Sequence, residues 1–221
     1  MELFSITWFP PLFAALVLIF AIREVFVYKG IVRIKYIATP LVTALIIGFA
    51  ILSISVYGIN QYRILILTAL ILSLVADTML MINEVNLLEY GILYFLSAHI
   101  LYIIAFMADY SFRAWNILVA VLLAVFIVVF FMKLRGKTPG LDIPVLIYSV
   151  IVSTMLFFAA STLGPELGIK SVFICLGATF FVISDFLVAY FSFIKPNKHE
   201  SVISWALYSP GQLLIALSCF S

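Results

Sequence analysis

Long apolar runs dominate the chain, broken at intervals by short clusters of charge, proline and glycine. A membrane-spanning helix needs about 20 mainly apolar residues. Reading between the breaks gives eight such spans, over residues 6–27, 38–58, 62–82, 90–109, 113–132, 142–163, 170–193 and 201–220. Several begin with proline: Pro10 and Pro11 are expected to open the first span, Pro40 the second and Pro144 the sixth, where the missing N–H costs no helical bond. The N-terminus has neither a basic leader nor a small-residue cleavage site, so the first span is expected to be a retained helix rather than a signal peptide. No low-complexity stretch or long linker interrupts the series. The expectation is one polytopic domain over residues 1–221, an all-α integral membrane bundle of eight transmembrane helices.

Composition agrees with that pattern and removes its alternatives. The chain is 66% hydrophobic and 10% charged, against roughly 45–50% and about 25% in soluble domains. A small globule cannot hide so much apolar surface. Cys175 and Cys219 lie inside apolar runs and read as small buried hydrophobes, with no spacing that suggests a disulfide scaffold or a metal site. No Lys/Arg-rich block supports nucleic-acid binding. Charge placement then sets an orientation. Nine of the 12 Lys and Arg fall at odd-numbered connections, namely Arg23, Lys29, Arg33 and Lys35, then Lys133, Arg135 and Lys137, then Lys195 and Lys198. Only Arg63, Arg113 and Lys170 fall at even ones. The odd connections are therefore expected to face the cytoplasm, with both termini outside. The longest connection, around residues 29–37, is expected to lie along the interface.

Ionisable groups inside a membrane are costly, about 2.5–3.5 kcal/mol at a helix centre on insertion scales, and mark functional sites by default. Asp77 in span 3, His99 in span 4 and Asp185 in span 7 qualify. Asp109 ends its span and reads as interfacial. Asp77 and Asp185 sit at the same distance from the starts of helices four apart, which places both at one depth, toward the cytoplasmic side. That match suggests a parallel four-plus-four pseudo-repeat with its axis along the membrane normal. Helical spacing adds Ser73 one turn before Asp77, and Tyr102 three residues after His99. Tyr208 and Gln212 flank Pro210-Gly211, where proline removes a backbone bond. Asp77, His99, Asp185, Tyr208 and Gln212 are expected to line one polar cavity.

These segments resemble the YhhN-like lysoplasmalogenase family over nearly the whole chain. The resemblance rests on Ala76-Asp77 in span 3, on Phe95, Leu96, His99 and Tyr102 in span 4, on Gly177, Ser184 and Asp185 in span 7, and on Tyr208 and Gln212 in span 8. One position departs. The family opens span 2 with Lys-Pro, whereas this chain has Thr39-Pro40, with Lys35 one turn upstream and able to snorkel toward the same place. The resemblance implies hydrolysis of the vinyl-ether bond of lysoplasmalogens to a fatty aldehyde and a glycerophospho-ethanolamine or -choline. It implies catalytic Asp77 and Asp185, with support from Ser73, His99, Tyr102, Ser184, Tyr208 and Gln212. It implies no metal and no cofactor, and as partners a lysophospholipid substrate and the surrounding membrane lipids. The host membrane would be the inner membrane of a bacterium or the endoplasmic reticulum of a eukaryote. The residues suit the chemistry, because a protonated carboxyl can donate to the alkene carbon while an ionised one orients water; glycosidases divide labour in this way. Two other classes compete: a proton-coupled secondary transporter, since paired aspartates with histidine also make a proton relay, and a non-catalytic lipid-binding membrane protein.

Overall fold

The computed structural model describes residues 3–82, 87–138, 140–164 and 166–221. Among them are eight long helices and no strand: α1 (Phe9–Tyr28), α2 (Val32–Tyr57), α3 (Gln61–Met81), α4 (Leu88–Met107), α5 (Ala114–Leu134), α6 (Asp142–Ser161), α7 (Ile169–Phe193) and α8 (Glu200–Leu217). All eight are long and apolar enough to cross a membrane.

Local chemistry explains several boundaries. Pro10 and Pro11 fall in the first turn of α1 and Pro144 in the first turn of α6. The side chain of Asn60 caps α3 by accepting from the Arg63 backbone N–H at 2.8 Å, one of the orphan donors of a helix start. The α1–α2 connection departs from expectation. It is a three-residue turn in which Gly30 takes φ +77°, and α2 begins at Val32, so Pro40 is an interior residue rather than the opening one. Arg33 and Lys35 belong to the helix. Long basic side chains at a helix end reach the interface without a loop to carry them, and proline is tolerated where neighbouring helices satisfy the freed backbone.

Short connections make successive helices antiparallel, and contacts between helix ends fix the two poles of the bundle. At one pole the C-terminal part of α1 meets the starts of α2 and α8 through Arg23, Thr39 and Ser201. At the other, Tyr62 of α3 meets Ser218 after α8 at 2.5 Å, and Lys170 of α7 pairs with Asp109 after α4 at 2.6 Å. The odd connections therefore share the first pole, while the even connections and the C-terminus share the second.

The most extensive packing is between α7 and α8 and between α3 and α4. At the α7–α8 crossing Gly177 and Gly211 face each other, so that a Cβ on Gly177 would stand 2.8 Å from the Gly211 carbonyl oxygen. Small residues permit this close backbone approach, the main source of attraction between helices in lipid. Helices α2 and α8 are the most enclosed, whereas α1 and α5 lie at the periphery. The most extensive contacts between the two halves are those of α4 with α6 and of α2 with α8. Advancing each of the first pair by four helices, cyclically, gives the second, the relation that a four-plus-four arrangement requires.

Candidate active site

Asp77 lies sixteen residues into α3, counted from Gln61, and Asp185 sixteen into α7, counted from Ile169. Equal positions on parallel helices put the two carboxylates at one depth, nearer the odd-connection pole. Both face a single cavity of about 510 Å³ that continues to that pole. Phe130, Val145, Val152 and Phe186 supply part of its apolar wall.

Groups from two other helices meet each carboxylate. The Thr43 hydroxyl of α2 donates to Asp77 Oδ2 at 2.7 Å, and the Tyr208 hydroxyl of α8 donates to the same oxygen at 3.0 Å. Asp77 is only 7% exposed, and Oδ1 is the oxygen left for a ligand. The Tyr148 hydroxyl of α6 donates to Asp185 Oδ2 at 2.7 Å. His99 of α4 brings Nε2 to 3.5 Å from that oxygen without hydrogen-bond geometry. The surroundings correspond. Each aspartate takes a hydroxyl from the helix before its own and meets a side chain from the fourth helix of the other half. The four-helix offset seen in the packing thus extends to the polar groups.

Hydrogen bonding fixes the tautomer of His99. Nδ1 lies 2.6 Å from the Phe95 carbonyl oxygen, and a carbonyl only accepts, so Nδ1 carries the proton. In the neutral ring Nε2 is then a bare lone pair turned toward Asp185. Behind Tyr208 the network runs outward through α8 and α4. Gln212 Nε2 donates to the Tyr208 hydroxyl at 2.7 Å, and the Tyr102 hydroxyl makes a long 3.5 Å contact with Gln212 Oε1.

The expected cavity residues therefore divide. Asp77, Asp185 and Tyr208 line it, joined by Ser184, which was expected only as a support residue. His99 and Gln212 do not; both are fully buried and reach the cavity through Asp185 and Tyr208, because the wall is one side chain thicker than helical periodicity alone reveals. Tyr102 and Ser73 are likewise buried behind it. Ser184 points its hydroxyl at the Ser204 carbonyl, 2.9 Å away, tying α7 to α8. The helix of Tyr208 and Gln212 continues without a break through Pro210. Among the described residues no three His, Cys, Asp or Glu side chains converge as a metal site requires.

Three groups in or behind this wall were not legible as site residues. Thr43 and Tyr148 are the carboxylate donors described above. The third is Arg23, read from sequence as a helix-end charge but fully buried. Its guanidinium donates to Thr39 Oγ1 at 3.3 Å, to the Ser201 carbonyl at 3.1 Å and to Ser201 Oγ at 2.9 Å. It also pairs with Glu24 and stacks 4.2 Å from the Trp205 ring. Thr39, Ser201 and Trp205 all line the cavity, so Arg23 ties α1, α2 and α8 together immediately behind it. The position that departs from the Lys-Pro pattern, Thr39, is therefore itself held by a cation from α1, and Lys35 lines the cavity beyond it.

A family model described as the YhhN family matches residues 34–219, a range that contains both aspartates and their four direct partners. No curated protein and no solved structure matches the chain.

Proposed function

The chain belongs to the YhhN family, and on that premise we propose that it is a lysoplasmalogenase, an intramembrane hydrolase of the vinyl-ether bond of lysoplasmalogens. The observation that carries this reading is the pair of carboxylates at one depth, Asp77 buried and Asp185 partly buried, facing one cavity whose remaining wall is largely apolar. A lipid enters such a site with its alkenyl chain among the helices and its headgroup at the pole. Nine of the 12 Lys and Arg lie near the odd connections at that pole, which makes it the cytoplasmic side in this reading.

The reaction requires one proton on the pair, with one carboxyl protonated and the other ionised. The protonated member transfers it to C2 of the alkenyl chain, the alkene π pair forming the new C–H bond. The resulting positive charge is shared between C1 and the ether oxygen, and the ionised partner stabilises it. That partner also takes a proton from the water that adds to C1, which restores one proton to the pair. The hemiacetal then collapses: its hydroxyl gives up a proton as the C=O forms, the bond from C1 to the glycerol oxygen breaks, and that oxygen takes up a proton through the pair, giving aldehyde and the glycerol hydroxyl. Thr43, Tyr208 and Tyr148 orient the carboxylates. His99, with Nε2 3.5 Å from Asp185 Oδ2, acts through Asp185 as a positioning residue.

The test is aldehyde release by the purified protein in detergent from a 1-alkenyl lysophospholipid and from its saturated 1-alkyl counterpart. The alkenyl lipid is expected to yield stoichiometric aldehyde and the alkyl lipid none, because only the alkene can accept the proton. No aldehyde from the alkenyl lipid overturns the proposal.

A further inference from the structure

The cavity ends in two opposite charges that lie within each other's field without forming a contact ion pair. Lys35, in the second turn of α2, and Glu200, the first residue of α8, both line it and are both partly exposed. Among the described residues neither makes an ion pair within 4 Å. Each lies eight residues from a group that holds Asp77: Lys35 from Thr43, and Glu200 from Tyr208. At the helical rise this sets the backbone of each charged residue about 12 Å nearer the pole than that of the residue holding Asp77. Ser201 and Thr39 lie between the two levels on the cavity wall, and Arg23 behind them adds a second cation, already paired with Glu24.

We infer that Lys35 and Glu200 form a subsite for a zwitterionic phosphodiester headgroup, with the phosphate on Lys35 and the ammonium on Glu200. The inference rests on the lipid-hydrolase reading above and adds the headgroup to it. A low-dielectric rim carrying one cation and one anion is best satisfied by a ligand that supplies both complements. A phosphate monoester brings its extra negative charge against Glu200, and a lipid without a headgroup leaves each protein charge without a contact partner. The site therefore selects as much by what it repels as by what it attracts. Glycerol and the length of the Lys35 side chain together span the depth between the ether bond at the aspartates and the phosphate toward the mouth.

Three lipids with one alkenyl chain test this: the phosphoethanolamine, the phosphate monoester and the headless alkenyl glycerol. Wild type is expected to prefer the first over each of the others by about tenfold in kcat/KM, the low end for a hydrogen bond to a charged group at a partly exposed site. Lys35→Gln should erase most of the preference over alkenyl glycerol, while Lys35→Arg, which keeps the charge, should retain it. Glu200→Gln should erase most of the preference over the phosphate monoester. Preferences that stay at the wild-type ratio in Lys35→Gln and Glu200→Gln overturn the subsite. Dissociation constants of the saturated alkyl analogues, read from fluorescence of the cavity residue Trp205, separate this inference from the reading it rests on. If no lipid yields aldehyde but the binding ratios shift in the variants as stated, the hydrolase reading falls and the subsite stands. If aldehyde forms and the ratios do not move, the subsite falls and the hydrolase stands.

Discussion

Replacing Gly177 with alanine tests whether the α7–α8 contact positions the site. The new Cβ would meet the Gly211 carbonyl oxygen at 2.8 Å, Ile215 Cγ1 at 2.8 Å and the Ile215 backbone nitrogen at 3.1 Å. Two of these neighbours are backbone and cannot rotate away. To reach ordinary contact the helices must part by roughly 0.6 Å, a distance over which close-packed atoms already lose much of their attraction. Overpacking of this kind costs about 1–3 kcal/mol. Helix α7 carries Asp185 and α8 carries Tyr208, the donor to Asp77, so the same displacement opens the site. A catalytic rate loss on the order of tenfold follows, since misplacement by about 1 Å costs near a hundredfold. Gly48→Ala is the control, because its Cβ would meet only the mobile end of Leu12, at 3.3 Å. The assay is unfolding in detergent alongside aldehyde release per folded molecule. Gly177→Ala should melt early and turn over slowly, with Gly48→Ala close to wild type. A wild-type melt and rate for Gly177→Ala, or equal damage from both, refutes the argument.

Thr43→Val and Tyr148→Phe each remove one hydroxyl from one aspartate, and each should slow aldehyde release by about tenfold or more, the range for a hydrogen bond to a charged group, while the protein stays folded by size-exclusion profile. Arg23→Met removes the guanidinium that joins α1, α2 and α8 and leaves Glu24 without its partner. It should lower unfolding stability by about 3 kcal/mol in a denaturant titration, and a wild-type midpoint would show that the buried cluster contributes nothing. Orientation is checked in a background lacking Cys175 and Cys219. A reagent confined to the cytoplasm should label a cysteine at Lys198 and spare one at Ser221, and the reverse pattern inverts the topology.

Much of the architecture was legible because the bilayer leaves few options for an apolar chain. Spans of about 20 residues and charge clusters between them located eight helices, and the cost of a buried carboxylate singled out Asp77 and Asp185. The partners of those carboxylates were less accessible. Thr43 and Tyr148 are two hydroxyls among many along the spans, and which of them meets an aspartate depends on helix rotation and neighbour choice, neither of which periodicity specifies. The placement of His99 and Gln212 on the cavity surface failed for the same reason; both are a layer behind it. Arg23 was misjudged because it precedes the end of its helix by one turn, where a lone helix would let it reach water. The starts of α2 and α8 close over it instead. Pro40 was misjudged through the charges before it, which read as a loop yet belong to a helix already running from Val32.

The central claim is that Asp77 and Asp185 together deliver a proton to the alkene carbon of a lipid, and aldehyde made in D2O and trapped at once by reduction measures it most directly. Mass spectrometry is predicted to find one solvent deuteron at C2 of the trapped product from wild type, and no product above background from either Asp77→Asn or Asp185→Asn. Product without solvent deuterium at C2, or near-normal turnover by either variant, would contradict the account.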